Sequence, residues 1–138
     1  MQQLPKREGA LAILVNEAGQ ILLQLRDDDP TIPYPATWGL PGGGIEPGET
    51  SELAVRRELI EEIAFVAGDL AELGRFVTPE GFVLNVFSGA IDLPLEALEL
   101  NEGTALCFFP PQALRELHIA PWLKAVLLRH LLGDAAQG

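Results

Sequence analysis

Apolar residues fall into short runs separated by turn-forming clusters, and only two stretches carry a helical period. Ala10–Val15 and Ile21–Leu25 are near-continuous apolar runs, joined by Asn16-Glu17-Ala18-Gly19-Gln20. Runs of this length bounded by turn residues predict a β-hairpin with a five-residue connection. Asp27–Thr37 holds three Asp and three Pro and is expected to be a loop. Trp38-Gly39-Leu40 reads as a strand that leads into Pro41-Gly42-Gly43-Gly44, which is expected to be irregular. In Thr50–Ile63 the residues Val55, Leu59 and Ile63 recur every four positions, the stripe of an amphipathic helix, with Thr50 or Ser51 as its cap.

Further strands are predicted at Leu70–Val77, Phe82–Ile91 and Ala105–Phe109, with Glu80-Gly81 as a turn. Pro110-Pro111 opens a short helix to about Leu117, and Pro121 sits in the first turn of a last helix ending near Leu132. Met1–Glu8 is polar and expected to be loose. Strands flanked by helices imply one α/β domain with a mixed sheet covered on both faces.

Composition narrows the partners. The 138 residues fit a single domain, and 48% hydrophobic content suffices for a core. Net charge is −11, which repels polyanions, so neither a nucleic acid polymer nor an anionic membrane is expected as partner. A bound divalent cation could still reverse the sign of one site and admit a small phosphorylated ligand. The single Cys107 lies in an apolar stretch and reads as a buried small hydrophobe. With no leader-like start and no apolar run of about 18 residues, the expectation is a cytoplasmic protein. It could be a monomer or a homodimer.

The chemistry concentrates in Gly43–Phe65. Glycines free the backbone for close approach to a ligand. On the helix that follows, Glu58, Glu61 and Glu62 are related by i+3 and i+4 and share one face. That face lies beside the apolar stripe, near the edge of the core. Like charges so placed repel by a few tenths of about 1 kcal/mol per pair, and hard cations such as Mg²⁺ would relieve the repulsion. A glutamate-rich helix alone is more often a solvated face.

The complete pattern resembles the Nudix box: Gly43, Glu49, then Arg57-Glu58-Leu59-Ile60-Glu61-Glu62-Ile63-Ala64-Phe65. All fixed positions agree except Ala64, where the family has Gly. Either helix-end geometry is altered there, or the helix continues with Gly68 as its stop. The resemblance to MutT-like Nudix hydrolases implies a Nudix-type α/β/α sandwich with a mixed central sheet. It spans residues 1–138 as one domain, with the box at 43–65. It also implies a hydrolase that cleaves a phosphoanhydride in a nucleoside diphosphate linked to another moiety, using Mg²⁺ or Mn²⁺. By the same resemblance Glu58, Glu61, Glu62 and the Gly43 carbonyl hold metal, and Arg57 with Glu49 forms an orienting ion pair. Glu102 adds a late carboxylate as ligand or base, with Glu96 and Glu99 as competitors, and the general base is Glu58 or Glu102. Substrate contacts fall to Arg26, Trp38, Gly42 and Gly43.

Other readings weigh less. Asp27-Asp28-Asp29 lacks the spacing of a calcium loop, and His118 and His130 are expected at the surface. Tyr34, Trp38, Phe76 and Phe82 could stack on a base or belong to the core. The His118–Trp122 region offers no Asn, which some MutT-like members use to read guanine. A non-catalytic nucleotide-binding module on the same fold has no need of the glutamate set. An isoprenoid diphosphate isomerase would need a catalytic Cys–Glu setting that Cys107 does not provide.

Overall fold

The computed structural model describes residues 7–133. Strands β1 (Glu8–Val15), β2 (Ile21–Leu25), β3 (Trp38–Gly39) and β4 (Gly42–Gly44) precede helix α1 (Ser51–Ile63). Then come β5 (Leu70–Val77), β6 (Val83–Ala90), β7 (Ala105–Phe109) and helix α2 (Pro121–Leu132). The described strands form one mixed sheet in the order β3-β2-β1-β6-β5, with β4 added to β1 and β7 to β2. β1 and β6 run parallel over their full length, from Glu8 opposite Val83 to Val15 opposite Ala90, while the other pairs are antiparallel.

The near-continuous apolar character of β1 and β2 follows from burial on both faces. Ala10, Ala12 and Leu14 pack with Val55, Leu59 and Ile63 of α1. Ile13 points the other way, to Leu123 and Leu127 of α2 and to Leu114. Alternate residues of one strand thus supply two cores, which makes the layered α/β/α arrangement. Each fully buried Leu or Ile contributes about 1.5–3 kcal/mol relative to exposure. No helix among the described residues is long and apolar enough to cross a membrane.

Several expectations are corrected. Gly42–Gly44 is a strand, with Gly9 opposite Gly44, Ala10 opposite Gly43 and Leu11 opposite Gly42. Glycine carries no strand propensity, but the backbone ladder is available to it, and close approach to β1 demands it. A Cβ on Gly42, whose φ is +141°, would run into the Ala10 carbonyl oxygen. β4 also occupies much of the β1 edge that a regular hairpin would give to β2, so β1 and β2 pair only beside their turn, at Val15 and Ile21.

Helix α1 ends where the family pattern ends it, not at Gly68. Ala64 is left-handed (φ 59°, ψ 39°); its N–H donates to Ile60 O, and that of Phe65 donates to Leu59 O. The Ala64 bond is that of the αL cap, formed with a residue that carries a Cβ, and the Phe65 bond reaches one residue further back than a Schellman motif would. The helix starts on Thr50, whose hydroxyl accepts from Leu53 N at 3.1 Å.

The short helix expected after Pro110 is a 3-10 helix, Pro111–Glu116. Of the expected loose N-terminus, Glu8 belongs to β1, while residues 1–6 lie outside those described. Cys107, opposite Leu23 in β7, is half-buried, and among the described residues no strand pairs with the outer edge of β7.

Candidate active site

The edge between α1, β4 and the loop before β7 brings three carboxylates together. One oxygen from each of Glu58, Glu62 and Glu102 lies within 4.8 Å of the others. α1 supplies the first two, one turn apart. Glu62 is buried, Glu58 half-buried and Glu102 exposed. Glu61 lies outside this trio; its side chain is 58% exposed and meets Arg57 Nη1 at 3.3 Å.

Glu58 is pressed against the β4 backbone. A Cβ on Gly43 would lie 2.5 Å from the Glu58 carboxyl carbon, so any larger residue displaces that carboxylate. Gly42 N–H donates to Glu62 Oε1 at 3.2 Å. The glycine segment therefore serves the site through closeness and through an N–H, both of which a strand presents in fixed directions.

Arg57 braces the cluster from the side. Its Nε and Nη2 hold the two oxygens of Glu49 at 2.7 and 2.9 Å, its Nη1 reaches Glu58 Oε2 at 3.0 Å, and Nη2 also donates to Gly44 O at 3.0 Å. A planar guanidinium can serve this many acceptors at once; a lysine ammonium cannot match the fork. This pairing, with the Glu46 N–H on the same carboxylate, holds Glu49 down at about 2. Glu62 shifts the other way. Burial is the main cause, helped by a hydrogen bond shared with Glu102 and by the Glu58 charge, while the Gly42 N–H opposes the rise. Crowded, partly desolvated carboxylates disfavour full ionisation.

Glu102 arrives by a route that sequence reasoning missed. The loop ahead of β7 folds back onto the C-terminal end of α1, where helical carbonyls lack partners. Asn101 Nδ2 donates to Glu61 O at 2.9 Å, Asn101 N to Glu62 O at 3.0 Å, and Glu99 N to Ile63 O at 3.0 Å. Gln24 Nε2 donates to the Glu102 carbonyl, and Thr104 N to Leu25 O at 2.8 Å. A signal existed for Gln24: it is a buried polar residue inside an apolar strand. Of the competitors, Glu99 accepts from Asn101 Nδ2 and Glu96 stands in a separate 3-10 turn.

The trio floors a cleft of about 640 Å³. Its lining also includes Gly42, Gly43, Arg26 and Arg7. Arg26 Nε donates to Pro33 O at 2.9 Å, which leaves its terminal nitrogens for other acceptors. Arg7, another cation that sequence reasoning did not single out, lies 5.5 Å above the Phe82 ring centre. Trp38 does not line this cleft. It packs edge-on against Phe109 at 4.9 Å and faces an adjoining cavity together with Tyr34, Phe82 and Trp122. Tyr34 OH donates to Glu80 at 2.6 Å, and Phe76 packs against Trp122. His118 and His130 are exposed, and Asp29 is engaged with Thr31 inside its own loop.

The donor set suits a hard divalent cation: oxygen ligands only, carrying more negative charge than neighbouring cations offset. Comparisons with known proteins agree. The NUDIX domain family model matches residues 5–131. A Bacillus subtilis protein provisionally named 8-oxo-dGTP diphosphatase is 41% identical over 73 residues, covering 53% of this chain and 45% of that protein. An uncharacterised Nudix hydrolase of Pseudomonas aeruginosa is 34% identical over 119 residues, covering 83% and 69%. The chain thus spans less than half of the Bacillus relative. The MutT protein of Methanosarcina mazei superposes with a TM-score of 0.75 over 94% of this chain and 95% of that one, at 23% identity, a likeness of fold. The chain belongs to the Nudix family, whose hydrolases generally use divalent metal ions.

Proposed function

We propose that this chain is a Nudix pyrophosphohydrolase. It hydrolyses a phosphoanhydride bond in a nucleoside diphosphate linked to another moiety and depends on Mg²⁺, with Mn²⁺ as a substitute. Residues 1–138 act as one Nudix domain with its box at 43–65. The observation that carries the reading is the convergence of Glu58, Glu62 and Glu102 to within 4.8 Å beside a glycine strand.

Glu58, Glu62 and Glu102, with Glu61 and the Gly43 carbonyl at the margin, would hold the cations. Bound there, divalent ions supply charge neutralisation of the phosphates and a more acidic water. The chain's own residues do the rest. Arg57 and Glu49 fix the direction of the Glu58 carboxylate, and positioning of this kind dominates phosphoryl transfer. Arg26 and Arg7 offer guanidinium donors to phosphate oxygens from the cleft walls. Gly42 presents its N–H to Glu62 and keeps that carboxylate turned inward. One oxygen of Glu58 is taken by Arg57, whereas Glu102 is an exposed residue that, among the described residues, meets only Glu62, through a shared hydrogen bond. Glu102 is therefore the better placed of the two base candidates to take the proton of the attacking water.

The negative charge of −11 favours a small phosphorylated substrate over a polymer. A binding module that does not cleave would gain nothing from a buried, mutually repelling carboxylate group. Release of hydrolysis products (pyrophosphate or phosphate, sugar phosphate, or mononucleotides), resolved by chromatography across nucleoside triphosphates, nucleotide sugars and dinucleoside polyphosphates with Mg²⁺, Mn²⁺ or chelator, tests the reading. Metal-dependent release from at least one class is expected. No release from any of them would overturn it.

A further inference from the structure

Gln24 is the one polar residue of β2, and only 7% of its surface is exposed. An apolar side chain there would complete the strand, whereas a buried amide must be given a partner. That partner is the loop ahead of β7: Gln24 Nε2 donates to the Glu102 carbonyl. Arg26 follows two residues later, and strand alternation turns both side chains to the carboxylate cleft.

Further contacts join the same two segments. Thr104 N donates to Leu25 O at 2.8 Å, and Thr104 Oγ1 donates to Asp27 Oδ1 at 3.1 Å. Between them Gly103 (φ +84°) passes so close that a Cβ would lie 2.7 Å from Leu25 O and 2.9 Å from Gln24 Nε2. The chain is thus docked on either side of Glu102, at Asn101 onto the end of α1 and at Gly103 and Thr104 onto the end of β2. An exposed glutamate has several rotamers open to it, and a fixed main chain limits where its carboxylate can lie.

We infer that Gln24 and Thr104 form a clasp between the end of β2 and the Glu102 loop, with Gln24 as a positioning residue that holds the Glu102 carboxylate on Glu58 and Glu62. The clasp also ties Glu102 to the strand end that carries Arg26. The inference rests on the reading of Glu102 as part of the cation site.

A double-mutant cycle separates this role from general packing. Gln24→Met keeps an unbranched side chain of similar length and removes the donor. With Glu102 intact it should weaken Mn²⁺ binding about tenfold, measured by calorimetry without substrate. On a substrate the parent cleaves, kcat should fall by about tenfold with KM within about twofold. In a Glu102→Gln background the same change should move neither Mn²⁺ affinity nor kcat by more than about twofold. Equal losses in both backgrounds, or no loss with Glu102 intact, would overturn the inference. The calorimetric arm needs no turnover: the expected Mn²⁺ pattern in a protein that cleaves no nucleotide supports the clasp and counts against the hydrolase reading alone. A parent that binds no Mn²⁺ overturns both. If Gln24→Met fails to fold, Thr104→Val, isosteric at an exposed position, enters the same cycle. It should weaken Mn²⁺ binding about threefold with Glu102 intact and leave it unchanged in the Glu102→Gln protein; equal effects in the two would overturn the clasp.

Discussion

Replacing Ala64 with glycine should make this protein more stable, and the size of the effect follows from the end of α1. Ala64 is held at φ 59°, ψ 39° by the two hydrogen bonds that close the helix. A residue with a Cβ loses about 1–2 kcal/mol in that conformation. Glycine removes this cost but returns roughly 0.4–1 kcal/mol through the greater freedom of its unfolded chain. Ala64 is exposed, so its methyl group contributes little packing. The net gain is about 0.5–1 kcal/mol, or about 2–4 °C in Tm for a domain of this size. Urea unfolding in chelator, to remove metal linkage, should show a higher midpoint with an unchanged slope. The sign is diagnostic. Were α1 to run on through Ala64 toward Gly68, glycine would instead cost about 1 kcal/mol in a helix interior. A destabilised Ala64→Gly variant would therefore refute the helix end described here.

Other outcomes follow from the site. Gly43→Ala puts a Cβ within 2.5 Å of the Glu58 carboxyl carbon; Mg²⁺ affinity by calorimetry should fall about tenfold or more while the circular dichroism spectrum stays native. Asn101→Ala frees the Glu61 carbonyl and loosens the loop that carries Glu102. It should lower kcat by about tenfold or more with stability reduced by only about 1 kcal/mol, and an unchanged kcat would remove Asn101 from the positioning of the site. Glu49 has a folded pKa of about 2, below its ordinary 4.5. Its pairing with Arg57 therefore contributes stability above the unfolded carboxylate range, and that contribution is lost as pH falls through about 4.5 toward about 2. Glu49→Gln should be less stable than the parent at pH 7, with the gap closing at pH 2–3 in urea titrations.

The sequence carried the helix and its carboxylates because helical geometry is local: i, i+3 and i+4 fix one face without knowledge of the fold. Burial of β1 and β2 was equally legible, since both faces of each strand are apolar. The glycine strand was not. Three glycines have no side-chain pattern, and only the β1 backbone opposite explains their pairing. Arrival of Glu102 beside Glu62 depends on a loop docking to the end of a helix about forty residues earlier. The family resemblance pointed to Glu102, but no local periodicity encodes the contact; the buried Gln24 was its one trace in the strand pattern. Glu61 illustrates the converse limit. Sequence spacing groups it with Glu58 and Glu62, but its position on the arc turns it toward Arg57 and solvent.

The central claim is that the buried carboxylate of Glu62 organises a metal-dependent phosphoanhydride hydrolase. Glu62→Gln keeps the side-chain shape and an oxygen for the Gly42 N–H while removing the charge. Initial rates of Mg²⁺-dependent hydrolysis of a substrate the parent cleaves, followed as product formation by chromatography and measured beside an unfolding curve, test the claim most directly. The account predicts a loss of about a thousandfold or more in kcat with a native fold. Near-parental turnover by a folded Glu62→Gln protein would contradict it.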